Sequence, residues 1–384
     1  MKQKLKKLFI IDGYAILYRA HYALIRNPLI TSYGFHTSAL FGFTNQLIKI
    51  IKDETPDYLV CAFDSKEKTF RHKIYSDYKA NRPEMPEELQ KQIPHLWELL
   101  DGMNIPVLRM PGYEADDIIG TVTESVLDKK IESFIVSGDK DFMQLINDKV
   151  FLYTPGKRNS APDIYDKDGV IKKWGLPPEK IIDLLALMGD SSDNVPGVAG
   201  VGVKTAVKLL KEYDNIESVL DNAPKISNKR VHNGLINSRD KAFLSKELVT
   251  IIKDVDIDTN VENFLLKSFD QEALGKKFEE LEFYALLKYL AIDTPEKITK
   301  KEEKNYQTIL DLKALKKMVD EFKNAKYVSI DLETTSVNPM LAEIVGISAS
   351  YNKNSGFYIP ILYPEKKKNN FGDNDLEVAL SIMK

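Results

Sequence analysis

Short apolar runs that lead into carboxylates alternate, early in the chain, with longer stretches whose apolar positions recur at helical spacing. Leu8-Phe-Ile-Ile11 ends in Asp12-Gly13, and Tyr58 to Phe63 ends in Asp64. Ile105 to Met110 leads into Glu114, Asp116 and Asp117, and Ser133 to Ser137 leads into Asp139 and Asp141. Continuous apolar runs of this length predict strands buried on both faces. Ala15 to Tyr22 and Thr37 to Lys52 predict helices, the second with Leu40, Phe41, Thr44, Leu47, Ile48 and Ile51 at helical spacing. Strand and helix in alternation imply a doubly wound, mostly parallel α/β sheet, whose ligands collect outside the carboxyl ends of the strands. The pattern therefore delivers four groups of acids to one edge.

The segment Lys66 to Pro94 interrupts this alternation. Up to Arg82 it carries Lys66, Lys68, Arg71, Lys73, Lys79 and Arg82 against only Glu67 and Asp77, with Phe70, Tyr75 and Tyr78 interleaved. Cations with aromatics between them suit a phosphodiester backbone and a stacked base; a solvated surface loop is the alternative. A helix is expected from Glu87 to Leu100. Farther on, the apolar helix Pro177 to Leu187 is closed by Gly189-Asp190-Ser-Ser-Asp193-Asn194, whose acids are either extra ligands or helix caps. Gly197, Gly200 and Gly202 then predict a tight hairpin between helices, with Lys204, Thr205 and Lys208 beside the free N–H groups of a helix start. The run lacks the Gly-Lys-Ser/Thr of a nucleotide P-loop. A helix-hairpin-helix that grips a DNA backbone without reading sequence matches better. Lys225 to Lys246 adds six cations against Asp240 and is expected to form a second phosphate-contacting surface.

Helical spacing resumes from Val261 to Leu290, and the Lys/Glu-rich stretch Pro295 to Asn305 reads as a linker. A new α/β start follows, with a strand Tyr327 to Ile330 running into Asp331-Leu-Glu333-Thr334 and another strand from Ile344 to Ala349. The expected division is a catalytic α/β domain at 1–175, a helical subdomain at 176–292, a linker at 293–305 and an incomplete α/β segment at 306–384.

Composition changes this picture only a little. The 384 residues exceed what one core usually serves. With 54 Lys+Arg against 57 Asp+Glu, a nucleic-acid partner must be met by local basic surfaces rather than by bulk charge. The lone Cys61 excludes an internal disulfide framework and a Cys-based zinc site, and His21, His36, His72, His95 and His232 are scattered. No stretch is long and apolar enough to span a bilayer, so the expected compartment is the cytoplasm.

Asp12-Gly13, Phe63-Asp64, Lys79-Ala-Asn-Arg82-Pro83, Glu114-Ala-Asp116-Asp117, Ser137-Gly-Asp139-Lys-Asp141 and Gly189-Asp190-Ser-Ser-Asp193-Asn194-Val-Pro-Gly197 follow one another in that order. With the glycine hairpin, they resemble the N-terminal 5'-nuclease domains of bacterial DNA polymerase I, in the flap endonuclease superfamily. The resemblance runs from about residue 5 to about residue 290. It implies a PIN/flap-endonuclease-like sheet with flanking helices, then a helix-hairpin-helix subdomain. It also implies structure-specific 5'→3' exonuclease and 5'-flap cleavage in primer removal and repair. Asp331-Leu-Glu333 is similar to the first motif of the 3'→5' proofreading domain of such polymerases, a ribonuclease H-like fold. Its later carboxylates and the polymerase domain are absent from these residues, so the chain resembles a fragment of such a polymerase.

The resemblance also implies two Mg²⁺ or Mn²⁺ ions. Asp12, Asp64, Glu114 and Asp116 would hold the first and Asp139 and Asp141 the second, with Asp117, Asp190 and Asp193 bridging or one layer out. Arg19, Lys79 and Arg82 would contact phosphates, and Tyr78 would stack on the terminal nucleotide. The hairpin, with Lys204, Thr205 and Lys208, would hold duplex DNA, with a K⁺ ion often placed there in the family. The expected partners are DNA with 5' flaps, nicks or RNA primers, met by a monomer away from membranes. Rival readings are a non-catalytic clamp for branched DNA and a PIN-like ribonuclease. A binder gains nothing from so many acids facing phosphates, and a PIN-like ribonuclease would lack the hairpin and the Lys79/Arg82 segment.

Overall fold

The apolar runs become the strands of one sheet: β1 (Lys6–Asp12), β2 (Tyr58–Ala62), β3 (Val107–Leu108), β4 (Ile131–Val136), β5 (Val150–Thr154) and β6 (Asp163–Tyr165), in the order β3-β2-β1-β4-β5-β6. The computed structural model describes residues 5–156, 160–290, 305–336, 338, 340–352, 355–361 and 375–383. They fall into two units, Met1–Asp293 and Thr294–Lys384.

In the first unit β1 to β5 run parallel and β6 antiparallel to β5. Alternate residues face opposite sides, as the period of two requires. Leu8, Ile10, Val60 and Ile135 pack into one apolar layer, and Phe9, Ile11, Leu59, Cys61 and Val136 into the other. Because the central strands share one direction, Asp12, Asp64 and Asp139 emerge from the same edge of the sheet. β3 is shorter than the expected run 105–110. It pairs only through Cys61 and Ala62, and Pro106, with no N–H to give, suits such an edge position. The helix expected from Glu87 to Leu100 is two helices, Glu87–Gln90 and Ile93–Gly102. Pro94 is tolerated in the first turn of the second but would break the interior of one continuous helix.

The helical part of this unit includes Ile181–Met188, Val203–Tyr213, Lys229–Asn237 and Arg239–Val249. Two glycines in left-handed conformations, Gly189 (φ +69°) and Gly197 (φ +59°), cross at its entrance. A Cβ on Gly197 would stand 2.5 Å from Gly189 N, which no side chain can occupy. Gly197→Ala is therefore expected to destabilise the chain by roughly 2–4 kcal/mol. Urea unfolding would check this, and an unchanged midpoint would contradict the crossing.

The second unit carries β7 (Asn305–Thr308), β8 (Ser329–Thr334), β9 (Ile344–Ser350) and β10 (Ser355–Pro360), in the order β7-β10-β9-β8. Its core joins Ile309, Leu315, Met318, Ile347, Phe357 and Ile359. β8 begins and ends later than the expected 327–330, so Asp331 and Glu333 lie within an exposed strand rather than after its end. The linker expected at 293–305 lies outside the described residues, apart from Asn305, which begins β7. Among the described residues no helix is long and apolar enough to cross a membrane.

Candidate active site

Each strand end fixes its acid through a short backbone or hydroxyl bond. Asp12, last residue of β1, accepts the Ala15 N–H at Oδ1 (3.3 Å) and the Ser137 hydroxyl at Oδ2 (2.7 Å). The same Ser137 oxygen accepts the Asp139 N–H (3.0 Å), so one buried side chain joins the ends of β1 and β4. Asp139 Oδ1 accepts the Asp141 N–H at 2.9 Å. Asp64, after β2, accepts the Ala115 N–H at 2.8 Å, which stitches that strand end to the Ala115–Ser125 helix carrying Asp116 in its first turn. Glu114, 4% exposed, accepts from Lys79 Nζ (2.8 Å) and the Tyr78 hydroxyl (3.1 Å).

Burial and mutual repulsion strain this group. Burial pushes the Asp12 carboxyl up to about 7; the Ser137 bond opposes it, and Asp64 and Asp139 add to it. Asp141 is pushed up to about 8 by burial and then by Asp139. Asp116 is raised well above the usual carboxylate range by burial and by Asp12 and Asp139. Asp64 and Asp139 are raised chiefly by burial as well. Asp141 Oδ1 is buried with no hydrogen-bond donor. Clustered acids and an orphaned buried oxygen are what a divalent cation with oxygen ligands would relieve. No three of these acids bring ligand oxygens mutually within 4.8 Å; among the described residues only His95, Glu98 and Glu280 do so. There Lys277 already pairs with both glutamates. An ion such as Mg²⁺ keeps several of its own waters, so direct contact from every acid is not required.

Several residues stand elsewhere than the sequence predicts. Asp117 lies behind Glu114 rather than between the acids: it is fully buried, accepts the Glu114 N–H at 3.0 Å, and has Arg71 bound to both its oxygens at 2.7 and 2.8 Å. Tyr78 is 4% exposed and its hydroxyl donates to Glu114, so its ring is packed in the fold rather than presented at the surface. Arg19 bonds the carbonyls of Pro155 and Gly156 instead of joining the cations at the acids. Asp190 and Asp193 add repulsion at Asp141, yet each is met by a cation, Lys140 at 2.5 Å and Arg82 Nε at 3.1 Å. Gly197 is buried, whereas Gly200, Gly202, Lys204 and Lys208 are exposed and Thr205 partly so. Lys204, Thr205, Lys208 and Lys225 line a groove of about 440 Å³. The second basic surface is partly consumed internally, since Lys246 pairs with Asp183 and Glu217, and Arg239 with Asp221. Asp331 and Glu333 gather no third ligand among the described residues.

Ser137, Lys140 and Arg71 hold acids in ways that the sequence pattern does not single out. Ser137 and Lys140 lie inside a motif whose pattern is dominated by its acids, and Arg71 is one of six cations between Lys66 and Arg82 with nothing local to set it apart.

Two family models cover the first unit. Residues 7–175 match the 5'-3' exonuclease N-terminal resolvase-like domain, and residues 176–272 match the 5'-3' exonuclease C-terminal SAM fold. The chain belongs to the 5'-3' exonuclease family. Within that family it is 42% identical to a 5'-3' exonuclease of Aquifex aeolicus over 284 residues, which is 74% of this chain and 95% of the relative. It is 41% identical to DNA polymerase I of Bacillus subtilis over 310 residues, 80% of this chain but 35% of the relative, so it spans about a third of that protein. In fold it is similar to the zinc-bound T5 5'-exonuclease (TM-score 0.55, 20% identity, covering 73% of this chain and 100% of the other). It is likewise similar to the catalytic core of Rad2 in complex with DNA substrate (TM-score 0.52, 16% identity, 75% and 92% covered). This 5'-3' exonuclease family chain is thus a nuclease with an acidic site at the carboxyl edge of its sheet.

Proposed function

We propose that the chain hydrolyses DNA phosphodiesters at 5' ends and 5'-flap junctions, with two Mg²⁺ or Mn²⁺ ions held by Asp12, Asp64, Glu114, Asp116, Asp139 and Asp141. The observation that carries this reading is the convergence of those acids from the ends of β1, β2 and β4 and the start of the Ala115–Ser125 helix, with Lys79 bound to Glu114 and Arg82 close enough to favour the charged Asp64 carboxylate. When bound, such a pair of ions supplies an activated water and a stabilised leaving oxygen for in-line displacement. The chain's own residues position the parts. Ser137 and the Ala15 and Ala115 amides fix Asp12 and Asp64. Lys79 is held in a left-handed conformation (φ +57°), its N–H on the Asp193 carbonyl at 2.9 Å. With Arg82 it supplies positive charge for a phosphate next to the acids. Asp190 and Asp193 serve as counter-charges that hold Lys140 and Arg82.

On this reading residues 1–175 cleave, and 176–292 hold the duplex through the hairpin, with K⁺ there as the resemblance implies. Residues 306–384 are a segment similar to part of a proofreading domain, with 293–305 as the linker. The substrates are flaps, nicks and RNA primers, met by a monomer in the cytoplasm. The test is cleavage of 5'-flap, nicked, RNA-primed and blunt duplexes with Mg²⁺, Mn²⁺ or EDTA. Flap cleavage that needs the metal supports the reading; no cleavage of any substrate, or cleavage that survives EDTA, sinks it. Lys204→Ala/Lys208→Ala is expected to weaken DNA binding equally across sequences and to lower the salt slope by about 2. Titrating salt against fluorescence anisotropy measures this, and an unchanged slope would remove the hairpin from the interface.

A further inference from the structure

The Ala115–Ser125 helix meets the segment that leaves the Arg239–Val249 helix at a distance only glycine allows. A Cβ on Gly120 would stand 2.7 Å from Ile251 Cγ2 and 2.8 Å from the Ile252 carbonyl oxygen. The segment is tied along its length. The Ile252 N–H donates to Asp117 Oδ1 (2.9 Å), the Val255 N–H to Thr121 Oγ1 (3.1 Å) and the Ile251 N–H to Gln144 Oε1 (3.0 Å).

Arg71 sits at the centre of these ties, 2% exposed. Its Nη1 and Nη2 bind the two oxygens of Asp117 at 2.7 and 2.8 Å, while Nε and Nη2 donate to the Leu248 and Thr250 carbonyls, both at 2.8 Å. Asp117 in turn accepts the Glu114 N–H at 3.0 Å, and Arg71 Nη1 lies 3.4 Å from Glu114 Oε2. A buried ion pair contributes little net stability compared with an apolar pair of similar size. What it supplies is geometry, because a guanidinium fork meets a carboxylate in one plane and at two points. A lysine has one point charge and cannot make the fork and both carbonyl bonds.

We infer that Arg71 is a positioning residue for Glu114: it locks the start of the acid-bearing helix to the segment leaving the Arg239–Val249 helix, so that the hairpin subdomain and the acidic site keep one register. The inference rests on the metal-holding role proposed for Glu114. The test uses the full chain, with Mn²⁺ affinity read by electron paramagnetic resonance without DNA. Beside it are measured kcat and KM on a 5'-flap duplex and the Kd for that duplex in Ca²⁺. Arg71→Lys is expected to weaken Mn²⁺ binding by about 10- to 100-fold, the range for groups that orient metal ligands. It should lower kcat and leave the Kd in Ca²⁺ unchanged. If that variant does not fold, Arg71→Gln/Asp117→Asn, which keeps an amide-to-amide bond without the charges, is read in the same way. Unchanged Mn²⁺ affinity in a folded variant whose Tm has fallen would make Arg71 a structural tie only and overturn the inference. No Mn²⁺ binding by the unaltered chain would instead overturn the metal reading on which it rests.

Discussion

Asp116→Ala is expected to reduce metal-dependent cleavage of a 5'-flap duplex by more than about a hundredfold, the upper range for groups that only orient metal ligands. The same substitution is expected to raise the Tm of the metal-free chain. Both outcomes come from one cause. Asp116 is held above its ordinary range by burial and by Asp12 and Asp139, with Lys79 the opposing charge. Truncating it removes a repelled acid from the folded state and a ligand from the active one, the exchange of stability for function common at such sites. Asp116→Asn keeps the volume, so agreement between the two variants assigns the effect to charge. DNA affinity in Ca²⁺ should persist, because Lys204 and Lys208 are untouched. Retained cleavage would remove Asp116 from the metal site, and a fall in Tm for both variants would show that repulsion does not govern it.

The sheet and its acids were legible because both rest on local pattern. An apolar run flanked by helical spacing fixes a buried parallel strand, and parallel strands share one carboxyl edge, so Asp12, Asp64 and Asp139 follow from direction alone. The charge partners were not legible, because each is a tertiary choice. Asp117 meets Arg71 across 46 positions and Arg82 meets Asp193 across 111. Nothing in the local spacing tells a cation that faces a phosphate from one buried against an acid. Tyr78 shows the same limit from the apolar side. Aromatics among cations suit a stacked base, but they equally suit a core, and here burial won because the hydroxyl had Glu114 to bond. Arg71, one of six cations in its segment, is buried in four hydrogen bonds.

Mg²⁺ is expected to stabilise this chain more at pH 8 than at pH 5.5, and the sign follows from the raised carboxyls. Asp12 and Asp141 keep their protons to about 7 and about 8 in the folded chain, whereas unfolded carboxyls lose them near pH 4. Between those limits the folded state binds more protons than the unfolded one, so metal-free stability falls as pH rises. The divalent ion needs the deprotonated acids, so its affinity rises over the same interval. At a hundred times its Kd the ion adds about 2.7 kcal/mol, or about 4–5 °C in Tm for a unit that runs from Met1 to Asp293. Melting curves at the two pH values, with Mg²⁺ or with EDTA, measure the difference. An equal Mg²⁺ shift at both would mean that the acids are already ionised at pH 5.5, and no shift at either would mean that they do not share an ion. Asp141→Asn should flatten the metal-free pH dependence and lower the Mg²⁺ gain together, since the orphaned Oδ1 of Asp141 is an oxygen the ion would relieve.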